Sequence, residues 1–498
     1  MNAQPLFVLG VLATIGACGW LDPIDDVEPS TPSEARSFPI FSPTLAETTA
    51  GQGFDALAQD AWRREVRFMD AIAPGFAFRS VRPHHRELTD GTFESADWFS
   101  MGAQLFTMNF TEEQGFGGAD LPAMSRFHRG ERGGPDARRC AACHWRGGLA
   151  GAGDASDNAF FRGDGNTEAS ALARNPPSLV GAGWKELVAA SMTADLHAQR
   201  DEAVVFARSH GTAFQLALST HGVSFGAIEV AEDGTVDLTG LEGIDDDLVV
   251  KPFGWKGTFE TLREVSEDAL NVHHGMQSSW FAENADPERV GKGEPDDPDG
   301  DGVTDEINEG QVSLLTMFLA MQDVPVDQPP VEPDQLLLYA KGRQSFSDLG
   351  CAACHTPSMP VDRTVYTLTG RNGLDDLALD LLNEGAQPRL RPDAITGDLR
   401  VPLYSDLKRH AMGEALAEAR DDAGLPADVF LTPPLWGIAR TRPYLHDARA
   451  PTLEDAILLH GGEARASRDA FDALDEEERA PLRVFLTSLT RGERLTSP

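Results

Sequence analysis

The chain has 498 residues, 41% of them hydrophobic, which is enough for two or more packed domains. Its 79 acidic side chains outnumber 42 basic ones and leave a formal charge of −37, so nucleic acid and anionic membrane surfaces are excluded as ordinary partners. Such a surface suits a soluble acidic protein, or one that steers a basic redox partner.

Residues 6–17 form a short apolar stretch that ends in small residues before Cys18. It is too short to span a bilayer as a helix and suits the apolar core of an export signal. Ile15-Gly16-Ala17-Cys18 looks like a bacterial lipobox, so residues 1–17 read as a signal peptide and Cys18 as a lipidated mature N-terminus. Met1 to Pro5 carries no Lys or Arg, and plain cleavage without a lipid is the competing reading. Residues 18–54, rich in Asp, Glu, Pro, Ser and Thr, read as an acidic tether. With no later apolar run, a membrane is expected only through the N-terminal lipid, and the location is periplasmic or at the cell surface.

The pentapeptide Cys140-Ala-Ala-Cys143-His144 recurs as Cys351-Ala-Ala-Cys354-His355. In C-x-x-C-H two thiols form thioethers to a porphyrin and the adjacent His reaches iron as proximal ligand. Zinc is the alternative, but a zinc ribbon places its second Cys pair about 15–20 residues after the first, and here most of a domain intervenes. The fifth cysteine is Cys18, so no pair remains for a disulfide. Two covalently bound c-type haems are therefore expected, on Cys140, Cys143 and His144 and on Cys351, Cys354 and His355.

The flanks repeat as well. Gly102-Ala-Gln-Leu-Phe106 precedes the first motif and Gly342-Arg-Gln-Ser-Phe346 the second, each on an expected helix. The second helix should run from Pro333 to Leu349, with Leu336, Leu337, Leu338 and Phe346 as its apolar face. In the first copy a Gly- and Arg-rich loop, residues 115–139, intervenes. Downstream, Thr261-Leu-Arg-Glu264 has the form of a capping box and leads to His273-His274-Gly275, while Thr452-Leu-Glu-Asp455 leads to His460-Gly461. His274 and His460 are the distal-ligand candidates for haems 1 and 2. A helix-end His that merely caps carbonyls is the bland reading. Met276 or His273 could replace His274, and Met412 or His410 could replace His460; Met would raise the potential.

Asp297-Pro-Asp299-Gly-Asp301-Gly302-Val-Thr-Asp305 has the alternating carboxylates of a Ca2+ loop, although position twelve is Asn308. An ordinary acidic surface loop competes with calcium. Trp145, Trp184, Trp255 and Trp280 all fall in the first half, as core residues or electron relays.

The segments Gly350 to Pro357, Thr432-Pro-Pro-Leu-Trp-Gly437, Pro443-Tyr-Leu-His446-Asp447 and Thr452 to His460 together resemble the bacterial di-haem oxidoreductases, which are similar to di-haem cytochrome c peroxidases and MauG-type enzymes. The resemblance covers most of the chain from about residue 80 and is strongest after residue 335. It implies a mainly α fold of two cytochrome c-like haem domains with long loops and insertions, residues 55–328 and 329–498. It further implies that hydrogen peroxide is reduced at haem 1 with electrons that an electron-donor cytochrome delivers at haem 2. The peroxidases carry Met where this chain has His460, which implies a lower haem 2 potential. They use a pocket Glu as acid/base, for which Glu186 is the best match; a solvated helix Glu is the alternative. His446 would lie near a haem edge. The competing functions are a non-catalytic electron-transfer cytochrome and, less directly, oxidation of an organic or protein substrate.

Overall fold

The computed structural model describes residues 81–117, 137–154, 172–284, 297, 301–393 and 395–491, together with the short strands Phe127–His128, Glu131–Arg132 and Ala159–Phe161. The expected signal segment, Cys18 and the tether lie outside the described residues, as does Asp299. Helix predominates over strand, and no helix among the described residues is long and apolar enough to cross a membrane. The main helices are α1 (Ser95–Thr107), α2 (Ala182–His210), α3 (Leu262–Ala269), α4 (Glu309–Ala320), α5 (Pro333–Asp348), α6 (Leu453–Leu459), α7 (Arg465–Asp472) and α8 (Glu476–Ser488).

The two G-x-x-x-F helices are built into the same kind of crossing. A Cβ on Gly102 would stand 2.3 Å from the Leu314 carbonyl oxygen and 2.5 Å from Phe318 Cβ, so α1 meets α4 where only hydrogen fits. A Cβ on Gly342 would stand 2.0 Å from the Pro481 carbonyl oxygen and 2.8 Å from Phe485 Cβ, where α5 meets α8. Aromatic rings flank each contact. Phe99 and Phe106 lie 5.2 Å from Phe318, and Tyr339 and Phe346 lie 6.0 and 5.3 Å from Phe485. The repeat thus extends to Leu314/Phe318 and Pro481/Phe485, four residues apart in both copies.

Surroundings differ between the crossings. From Gly310 to Ala320 every residue of α4 is buried, as a helix enclosed on all sides must be. By contrast α5 buries only Tyr339, Gly342 and Phe346, one narrow stripe. Leu336 and Leu337 are 45% and 56% exposed. The expected apolar face at Leu336–Leu338 is therefore corrected: the i, i+3, i+7 stripe lies one turn later.

Hydrophobic residues form a large cluster around α1, α2 and α4 and a smaller one around α5 and α8. Met359, Tyr366, Leu379, Val401 and Leu403 join the larger cluster although they follow the second haem motif. A boundary at residue 329 therefore does not divide the core, because this stretch folds back onto the first half. Part of it is the hairpin of β4 (Val365–Leu368) and β5 (Leu377–Asp380), whose Tyr366, Leu368, Leu377 and Leu379 alternate inward. A second hairpin, β1 (Phe214–Thr220) and β2 (Val223–Val230), turns at His221-Gly222 with φ of 53° and 83°, the two positive values of a type I′ turn. Finally β3 (Val326–Asp327) pairs antiparallel with β6 (Leu489–Thr490), returning the chain end to the junction of the halves. Buried ion pairs from Arg174 to Glu418 (2.7 Å) and from Lys256 to Glu418 (3.2 Å) also cross that junction.

Candidate di-haem site

Each C-x-x-C-H motif opens as one 3-10 turn, Cys140–Ala142 and Cys351–Ala353. The His144 and His355 amides donate to the Cys140 and Cys351 carbonyls at 3.1 and 2.9 Å. That turn brings both thiols and the imidazole of each motif together. Burial pushes the Cys140 thiol up to about 12 and the Cys351 thiol up to about 11. A neutral sulfur, such as that of a thioether, suits such surroundings. All four motif cysteines are free of disulfides.

The imidazoles are oriented by backbone carbonyls, which only accept hydrogen bonds. His144 Nδ1 donates to Gly151 (3.1 Å), His355 Nδ1 to Tyr404 (3.0 Å), His460 Nδ1 to Ala456 (2.7 Å) and His274 Nδ1 to Ala137 (2.6 Å). In its neutral form each of these four rings thus carries its proton on Nδ1, the tautomer that leaves Nε2 for a metal. Burial lowers His144 and His355 to about 4, so both are neutral at pH 7.

Beyond this common pattern the pairs diverge. The rings of His355 and His460 face each other with centroids 6.5 Å apart. One iron with bonds of about 2.0–2.1 Å to two imidazoles, each with its centre about 1.1 Å behind the nitrogen, separates the centres by about 6.3 Å. The residues of the second site thus fit a bis-His haem. Capping by Thr452, whose Oγ1 accepts from the Asp455 amide (3.1 Å), starts α6 so that it ends at Leu459 with His460 immediately beyond.

Thr261 caps α3 in the same way, accepting from the Glu264 amide at 3.2 Å. That helix, however, runs on through a π-turn, Leu270–His274, before Gly275 stops it with a φ of 70°. His274 is consequently packed on Phe110, with its Nε2 3.6 Å from Cys140 Sγ. A thioether sulfur sits at the porphyrin rim and an axial nitrogen over the centre, so an Nε2 touching Sγ is off the axial line. The structure therefore puts His274 beside Cys140, at the rim of the proposed first haem site.

His410 is engaged by carboxylates at both ring nitrogens. Its Nε2 lies 2.8 Å from Asp406 Oδ2 and its Nδ1 2.7 Å from Glu463 Oε2. Burial opposes the charge, but hydrogen bonds led by Asp406 carry its pKa up to about 11. Cys354, Asp406 and His410 bring one sulfur, one carboxylate and one imidazole nitrogen within 4.8 Å of one another, a group able to hold a metal ion.

Glu186 is held by two donors at the end of α3 away from His274. Its Oε2 accepts from the Leu262 amide (2.7 Å) and from Tyr366 Oη (3.1 Å), at the start of α3. Twelve residues of helix at about 1.5 Å each put His274 about 18 Å away. The described part of the acidic loop proposed for calcium makes contacts within the chain. Asp305 pairs with Arg82 (2.9 Å), Asp297 and Asp301 accept the amides of Gly302 and Val303, and Asn308 caps α4 by accepting from Gln311 (2.9 Å). A cation already occupies Asp305, and the twelfth position is spent on a helix cap.

His446 stacks on Phe430 (4.4 Å) and meets Trp255 edge-on (6.4 Å), while Trp255 Nε1 donates to the Asn175 carbonyl (2.7 Å). It is a joint between the halves; burial lowers its pKa to about 3. Trp145 and Trp184 are core, and Trp280 carries the Arg371 guanidinium 3.6 Å over its ring. A cleft of about 410 Å³ on the Trp280 side is lined by none of the four histidines above.

Residues 338–489 match the family described as "Di-haem oxidoreductase, putative peroxidase". No curated protein matches the chain. Solved structures similar to it include hydrazine synthase of Kuenenia stuttgartiensis, at 18% identity over 41% of this chain and 61% of that one with a TM-score of 0.23, and a MauG-like protein associated with microbial copper homeostasis, at 15% identity over 53% and 79% with a TM-score of 0.26. The chain thus spans about three-fifths of the hydrazine synthase chain that it matches.

Proposed function

We propose, from the match of residues 338–489 to the di-haem oxidoreductase family, that this protein is an exported di-haem enzyme that reduces hydrogen peroxide with electrons from a donor cytochrome. The observation that carries this reading is the inequality of the two histidine pairs. His355 and His460 stand at the spacing one bridging iron requires, while His274 is turned to the Cys140 rim. Bound haem supplies one-electron chemistry at both sites, and an iron with an unfilled axial position can in addition take peroxide.

The side chains then divide the work. Cys140, Cys143, Cys351 and Cys354 tether the two groups, and the carbonyls of Gly151 and Tyr404 fix His144 and His355 as proximal ligands. His460 closes the second site, restricting it to electron relay. The paired helix crossings support two cytochrome c-like domains, with the 359–403 stretch of the second packed on the first. Peroxide takes two electrons and two protons to give two waters, so a donor of the cytochrome type must deliver electrons one at a time. The acidic surface favours a basic donor. Lipidation at Cys18 would hold the enzyme at the outer side of a bacterial membrane.

Low-temperature EPR of the oxidised holoprotein, repeated after one-electron reduction, is the test, paired with peroxide turnover against reduced cytochrome. We expect a high-spin ferric signal in at least one of the two states, with turnover. Low-spin signals alone, two in the oxidised protein and one after reduction, without turnover, would make the protein an electron carrier.

A further inference from the structure

We propose that Arg491, at the far end of the chain, is a positioning residue for His144, so that the C-terminal strand sets the proximal side of haem 1. The proposal rests on the two-haem reading above. Pairing of Leu489 with Asp327 and of Thr490 with Val326 delivers Arg491 into the junction of the halves, where it is 3% exposed. One edge of its guanidinium grips Asp323, with Nε 3.0 Å from both carboxylate oxygens and Nη2 2.6 Å from Oδ1. The opposite corner, Nη1, donates to the Leu149 carbonyl (2.6 Å) and more weakly to that of Gly147 (3.4 Å).

Those carbonyls belong to the turn that orients His144. Gly148 donates to Trp145, Gly151 donates to Gly148, and the Gly151 carbonyl accepts from His144 Nδ1. Three residues of this turn, Gly147, Gly148 and Ala150, have φ of 80°, 109° and 60°. Left-handed backbone of this kind persists only where its surroundings hold it, most of all at a non-glycine residue. Arg491 supplies that hold, and a planar five-donor fork can grip a carboxylate and two carbonyls at once where an ammonium cannot. Outer partners of a metal-binding His fix its ring and tune its basicity, so a residue nearly 350 positions from His144 in sequence acts on it through one peptide turn.

The test uses the full-length holoprotein with Arg491→Lys and, separately, Arg491→Met combined with Asp323→Leu, which removes both buried charges together. Haem 1 is identified as the species whose signal does not move in His460→Met. In both variants we expect the haem 1 EPR signal to broaden. We also expect a tenfold change in the relative stability of its two oxidation states, about 59 mV for one electron, with haem 2 unmoved. Wild-type haem 1 behaviour in a folded variant overturns the proposal. So does an equal change at both haems, or failure of both variants to fold, either of which makes Arg491 a general strut. A wild-type protein with fewer than two haems by pyridine haemochrome would instead sink the two-haem reading itself.

Discussion

The two halves of the molecule use one local code and end it differently. In each, a helix with Gly and Phe four apart crosses a later helix, a 3-10 turn presents Cys, Cys and His, and a Thr-capped helix leads to a second His. Thirteen residues separate Thr261 from His274, but eight separate Thr452 from His460, and the π-turn at Leu270–His274 lies within that excess. The proximal side of a c-type site is fixed within five residues and repeats faithfully. Its distal side depends on where a helix stops, and one irregular turn is enough to change what stands there.

The largest effect that tests the comparison is haem loss. Replacing Cys351 and Cys354 by Ala, or Cys140 and Cys143 by Ala, should each lower the pyridine haemochrome content from two haems to one and abolish peroxide turnover. Retention of two haems in either variant would break the equivalence of the halves.

Next comes the distal asymmetry. His460→Ala should convert haem 2 from low to high spin, and His460→Met should raise its potential by on the order of 0.1 V, within the roughly 0.8 V that axial ligands span. His274→Ala should leave the spin state of haem 1 as it is. A new high-spin signal in His274→Ala would return that residue to the axial line.

The helix crossings should yield smaller and graded losses. Gly102→Ala forces a methyl into the Leu314 carbonyl inside the enclosed α1–α4 contact, and Gly342→Ala does the same at the half-exposed α5. Overpacking costs about 1–3 kcal/mol or more. Gly102→Ala should lie at the upper end and Gly342→Ala, where α8 can shift outward, at the lower. Urea midpoints measure both; equal losses would mean that the depth of the crossing is immaterial.

Local signals explain what could be read without coordinates. The Thr caps and the extent of α5 each depend on a few neighbouring residues, and each stands where its sequence points. The partners of Gly102 and Gly342 do not, because Phe318 and Phe485 arrive from long-range folding. A turn dipeptide, His221-Gly222, between β-branched and aromatic residues was a legible hairpin signal that went unused. Helix register is harder to read: the run Leu336–Leu338 is a stronger local signal than the spaced Tyr339, Gly342 and Phe346, and nothing near Leu270 marks the π-turn. Arg491 carries no motif at all, and only the β3–β6 pairing reveals it.

Glu186 sharpens the comparison from the other side, as a residue whose sequence neighbourhood suggested catalysis and whose surroundings are structural. Burial raises its pKa to about 7, against an ordinary 4.5, despite the amide of Leu262 and the hydroxyl of Tyr366. The folded state therefore holds a proton that the unfolded chain has released between these values. Its stabilisation is complete below about pH 4.5 and is lost as pH rises through about 7, a fall of about 3 kcal/mol. Glu186→Gln keeps an oxygen for both donors and carries no charge, so urea midpoints of the variant should vary less between pH 5 and 8 than those of the parent. Peroxide turnover should stay within twofold, since the start of α3 is remote from His274. A variant whose stability follows the parent across that range would put the titrating group elsewhere, and a large loss of turnover with the fold intact would return Glu186 to the chemistry of haem 1.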